Sequence, residues 1–221
     1  RRQRQMCIRD RLNPALNVVG LVGHSAVRFE AMGDKSMDEG QQANDQELEH
    51  MVQMVKQAVE EGAVGFSTSR FLQHLVPDGR CTPGTWADLR ETKAMQEAVV
   101  EAGGTGGLYQ SANDMATRFE TELQMFRDGT EVGCQVLFSG GAGPQGVGGV
   151  SRWRDFMGEQ NEGGRRLASI CHTRPSGAFF GLAQLSPFVR TCESWKELMD
   201  LPTLEDRVEA LRDPNKRAKL I

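Results

Sequence analysis

The chain has 221 residues, 38% of them hydrophobic and 25% charged, with a formal charge of −4. That length and apolar share suit one sizeable core or two small ones, and basic and acidic residues spread along the chain leave no positive stripe to track a phosphate backbone. No segment approaches the roughly 20 apolar residues of a membrane span and no charged-then-apolar leader opens the chain, so a cytoplasmic protein with neither nucleic acid nor membrane as partner is expected.

The start reads as foreign to the fold. Met6 to Arg11, MCIRDR, looks like a translated transposon end of the kind ligated to DNA in sequencing libraries, and the preceding RRQRQ has no folding pattern. Residues 1–11 are therefore expected to be non-native, the native chain is expected to begin near Leu12, and the whole is expected to be cut from something longer. Cys7, Cys81, Cys134, Cys171 and Cys192 show neither CxxC spacing nor a disulfide rhythm, and read as isolated thiols.

From Asn17 short apolar runs alternate with helical patterns. NVVGLVGH is a buried strand candidate. Leu48, Met51, Val52, Val55 and Val59 fall on one face of a helix, capped by Asn44 or Asp45 and stopped by Gly62. AVGFS is a second strand, and Thr85 to Asp88 form a capping-box-like start to a helix that runs to about Ala102. GGLYQSA is a third strand, Met115 to Arg127 a helix, and CQVLFSG a fourth strand. A glycine-rich stretch and a short helix near Trp153 lead to LASICH, a fifth strand. The tail from Ser194 is helical in pieces, broken at Pro202 and Pro214. Strands alternating with helices argue for parallel βαβ units, hence an α/β fold, with ligands at the carboxyl ends of the strands. Ser67, Thr68, Ser69 and Arg70 fall at such an end.

LVGHSAVRFEAMGD (Leu21 to Asp34), GAVGFSTSR (Gly62 to Arg70), His74 with DGRCTPGTWAD (Asp78 to Asp88) and LRDPNKRAKL (Leu211 to Leu220) together resemble the N-acyl-D-amino-acid deacylase (D-aminoacylase) branch of the amidohydrolase superfamily, amidohydrolase family 3. The resemblance implies a (β/α)8 barrel of the TIM type, of which this chain would supply about strands three to seven. Residues 12–193 would be its central part, and 194–221 a helical segment leading onward. It also implies a hydrolase in which a divalent metal, zinc foremost, activates water to cleave the amide C–N bond of an N-acyl-D-amino acid or related small amide. On that mapping the HxH metal pair of the first strand and the metal-binding Asp of the eighth have no counterpart here. The ends of strands five and six, Tyr109-Gln110-Ser111 and Phe138-Ser139-Gly140, carry no imidazole where other members place a ligand, and Leu72 stands where a tyrosine is expected. The fragment alone is expected to be inactive, to have low stability, and to self-associate through its uncovered barrel edges.

A hydrolytic zinc site takes about three protein ligands. His24 and His172 are weak candidates, with hydrogen-bonded structural roles as the alternative; His50 reads as solvent-facing. Ser67, Thr68, Arg70, His74, Gln110 and Arg174 are the candidate substrate-binding residues. An arginine at a barrel mouth can hold a carboxylate through two parallel donors, or pair with a loop aspartate such as Asp78. The hydroxyls of Ser67 and Thr68 can bind substrate or satisfy strand-end carbonyls, and Asp114 can serve as a base or start a helix. No catalytic residue is assigned. The loop from Phe71 to Thr85 is long for a βα connection and reads as a lid or substrate wall. Two alternatives stand beside the hydrolase: a barrel that binds a small carboxylate without cleaving anything, and a nucleotide-binding α/β protein, since Gly141, Gly143 and Gly146 fit GxGxxG after a strand, although Val147 to Val150 make a poor helix start.

Overall fold

In the computed structural model, residues 18–115, 117–140, 146–171, 181–183, 186–190 and 192–220 are described. Residues 1–11, His172, Arg174 and Gly141 to Gln145 of the glycine motif lie outside them. The strands are β1 (Val22–Gly23), β2 (Gly65–Ser69), β3 (Leu108–Ala112), β4 (Gln135–Ser139) and β5 (Arg166–Ile170). They form one sheet in the order β1-β2-β3-β4-β5, every neighbouring pair parallel. The fold is α/β, as expected.

Strand order equal to chain order has a physical consequence. Parallel neighbours need a crossover, crossovers are right-handed, and a chain that always steps in one direction lays every crossover helix on the same face. The helices in question are α1 (His24–Met32), α2 (Asp45–Glu60), α3 (Leu89–Gly103), α4 (Phe119–Val132) and α5 (Gly146–Asn161). Neighbouring helices α1 to α4 pack side by side. The tail adds α6 (Glu193–Met199), α7 (Leu204–Ala210) and α8 (Pro214–Ala218), so it is helical in pieces as read.

Alternate strand residues point to opposite faces, and register places Phe66, Tyr109, Val136 and Leu167 in one row. All four are buried beneath the helices with Met51, Val55, Met95, Val99, Leu123 and Phe126. Aromatic rings run across this interface: Phe66 stacks on Tyr109 (centroids 5.0 Å apart), Phe126 on Phe138 (4.9 Å), and Phe138 lies 4.8 Å from Trp153. The next row, Ser67, Gln110, Leu137 and Ala168, faces away from the helices and is half-buried or exposed. Gly65 is required where β2 meets β3: its φ is +152°, and a Cβ there would stand 1.8 Å from the Leu108 carbonyl oxygen.

The element boundaries differ from expectation, most plainly in four places. The apolar run at the start yields a strand of only two residues, and His24 opens a helix the hydrophobic pattern does not show. Its buried positions, His24, Val27, Arg28 and Met32, keep helical spacing, but two of them carry polar side chains. Asp88, not Thr85, caps α3 by accepting from the Glu91 N–H, because Pro83 to Trp86 form a separate 3₁₀ turn and Ala87 is extended. Helix α4 starts at Phe119 rather than Met115, since the Asp114 carboxylate accepts from Thr117 and Arg118 and ties the chain into a turn first. Val147 to Val150, judged a poor start, lie inside α5. Helix α2 begins as read, with a capping box between Asn44 and Glu47.

Candidate functional site

The carboxyl ends of the strands carry two separate sets of polar side chains, divided by the sheet. On the helix side the chemistry is that of buried ion pairs. His24, the first residue of α1, makes a 2.8 Å hydrogen bond through Nδ1 to Thr68 Oγ1 and a 2.7 Å one through Nε2 to Glu91 Oε1. Arg28, one turn later, donates from Nε to the two Glu91 oxygens at 3.0 and 3.2 Å. Its remaining nitrogens donate to the carbonyls of Ser36, Pro83 and Gln41. His24, Arg28 and Glu91 are all buried, and the 3₁₀ turn is pressed so close that a Cβ on Gly84 would stand 3.0 Å from Thr68 Oγ1. Burial pushes the Glu91 carboxyl up, but the His24 hydrogen bond and the Arg28 charge outweigh it and hold it below the ordinary glutamate value.

A second buried set lies one strand along. Arg70 donates from Nε to Glu122 Oε1 and from Nη1 to the Ala87 carbonyl, both at 2.7 Å. Arg118 donates to the carbonyls of Arg70 and Thr85 and to the Asp114 carboxylate. Burial raises the Glu122 carboxyl above the ordinary range, against the opposing pull of Arg70. Burial also raises the Tyr109 hydroxyl, with the Glu122 charge adding to it.

These contacts revise three assignments. Arg70 is 2% exposed, and its guanidinium is occupied by Glu122 rather than offered to a substrate; Asp78, the partner weighed from sequence, is held by Arg80. Thr68 points to the helix side and is taken up by His24. His24 has both ring nitrogens engaged, leaving no lone pair for a metal. Among the described residues no group of three or more His, Cys, Asp or Glu side chains could hold a metal ion, so these residues do not fit a zinc site. Asp114 serves the turn before α4. His50 is exposed, as expected.

The other side of the sheet keeps the remaining candidates available. Ser67 and Gln110 sit side by side in register on the uncovered face, with Ser69 beside Ala112 one row nearer the carboxyl end. Ser69 Oγ and His74 Nδ1 are 2.5 Å apart. The His74 backbone is fixed by hydrogen bonds to Phe71 and Thr82, and its ring stands edge-on to Phe71 at 5.4 Å. The long loop that carries His74 is closed by a Leu75–Cys81 bridge and pinned by Arg80, which ion-pairs with Asp34, Asp38 and Asp78. It is thus tied through Arg80 to Asp34 and Asp38 in the segment after α1.

Residues that sequence reasoning passed over are Arg28, Glu91 and Glu122. A signal for the two acids was present. Glu91 shares a stripe with Met95, Ala98 and Val99, and Glu122 with Phe126, so each places a carboxylate where a helix faces the core. A buried acid needs a cation. Which cation it finds depends on which strands are neighbours.

The fold and the site thus define an α/β protein with a sequentially wound parallel sheet, its crossover helices on one face and Ser67, Ser69 and Gln110 on the other. Compared with family models, curated proteins and solved structures, the chain matches none of them.

Proposed function

We propose that this chain is the strand-three-to-strand-seven portion of an amidohydrolase-type (β/α)8 barrel whose complete form hydrolyses the amide C–N bond of an N-acyl-D-amino acid or a related small amide. One observation supports this reading above the others: five parallel strands wound in chain order, with their crossover helices on one side, are what a segment of such a barrel would be. In that reading the uncovered face is the barrel lumen, and Ser67, Gln110 and His74 line the substrate side of its mouth. The divalent metal, zinc foremost, would be held by side chains outside the described residues, and the chain alone would not hydrolyse that amide.

The test is expression of the uninterrupted reading frame from which this chain derives, followed by metal analysis and a screen of N-acyl-D-amino acids. Release of the free amino acid by protein with stoichiometric bound metal is the expected result. A second reading, a barrel that binds a small carboxylate without hydrolysis, is favoured by the commitment of both His24 nitrogens to protein partners. Ligand binding with neither metal nor turnover would select it.

A further inference from the structure

We propose that Ser69 and His74 form a nucleophile and general-base pair that takes acyl groups from small activated esters without a metal ion. Ser69 Oγ and His74 Nδ1 are in direct hydrogen-bond contact, the arrangement in which a neighbouring base can relieve a hydroxyl of its proton. Position supports the same role. Ser69 ends β2 at the carboxyl edge of the sheet, on the face opposite the crossover helices, while Thr68 and Arg70 on either side are spent on His24 and Glu122. Its register partner on β3 is Ala112, a small side chain with no polar group to compete for the hydroxyl. His74 is exposed, so a substrate reaches the pair from solvent. Both backbones are fixed, Ser69 by the β2–β3 ladder and His74 by its bonds to Phe71 and Thr82, so the contact is preorganised.

The chemistry balances without a co-reactant other than water. With His74 in the tautomer that carries its proton on Nε2, Nδ1 accepts the Ser69 proton as Oγ attacks the ester carbonyl carbon. The bond from that carbon to the leaving oxygen breaks, the leaving group departs with the electron pair and takes up the proton from the imidazolium, and the acyl group remains as an ester of Ser69. Attack by water, again with Nδ1 as base, releases the carboxylic acid and restores the hydroxyl.

This pair is independent of the metal-dependent reading above, so the chain itself can be tested with chelator present. The 221-residue chain is treated with p-nitrophenyl acetate, and separately with a fluorophosphonate, and adducts are located by peptide mass spectrometry. One dominant adduct on Ser69 is expected, formed about 100-fold more slowly in His74→Gln and at the unaltered rate in Ser25→Ala. Labelling spread over other residues at equal or greater occupancy overturns the proposal, and so does an undiminished rate in a folded His74→Gln variant. The site map on the unaltered chain decides the matter even where a variant fails to fold.

Discussion

Replacing Glu91 by Ala removes the one carboxylate shared by His24 and Arg28, and leaves the Arg28 charge buried with only carbonyl partners. Breaking a buried pair from one side costs about 3–5 kcal/mol. Because the Ser36, Gln41 and Pro83 carbonyls still accept from Arg28, the lower end, about 3 kcal/mol, applies here. With a urea slope of about 2 kcal/mol per molar, the unfolding midpoint should fall by about 1.5 M with the slope unchanged. Urea titration followed by tryptophan fluorescence measures both. The double replacement Arg28→Met with Glu91→Leu removes both charges at once and should recover at least half of the loss, since apolar side chains of similar volume often substitute for a buried pair without penalty. A midpoint within about 0.3 M of the unaltered protein for Glu91→Ala, where about 1.5 M is expected, would refute the view that this network holds α1 and α3 onto the sheet. A double variant worse than the single one would refute it equally.

The Glu91 carboxyl is lowered in the folded state, so its contribution to stability is present above its ordinary value of 4.5 and disappears as pH falls through the lower folded value. The stability gap between the unaltered chain and Glu91→Gln should accordingly be flat above about pH 5.5 and close on acidification; a gap that widened would reverse the sign of the argument. Gly65→Ala should destabilise by about 2–3 kcal/mol through strain at a positive φ and the clash with Leu108, read as a lowered thermal midpoint. Burial pushes the Cys134 thiol up to about 12, so alkylation at neutral pH should reach Cys134 only on unfolding, whereas the exposed Cys171 reacts in the native state. The uncovered face, with Ile170 exposed at the end of β5, should drive concentration-dependent association in sedimentation velocity, and a monomer at all concentrations would count against an open barrel segment.

The sequence by itself determined the elements whose physical signals are local. Strand apolarity, the 3.6-residue stripe of α2 and its Asn44–Glu47 capping box depend on neighbours within a few residues, and they placed the alternating α/β rhythm and the polar strand end from Ser67 to Arg70. Helix α1 was not legible, because its buried face is written in His24 and Arg28, which carry no hydrophobic period. Nor was the destination of the strand-end side chains. Thr68, Ser69 and Arg70 are consecutive letters, but the pleat sends Thr68 and Arg70 under the helices and Ser69 to the open face. The partners that fix their roles, His24, His74 and Glu122, stand 44, 5 and 52 positions away. Only the order of the strands brings Glu122 to Arg70 and Glu91 to His24, because a parallel sheet makes neighbours of residues that a whole crossover separates.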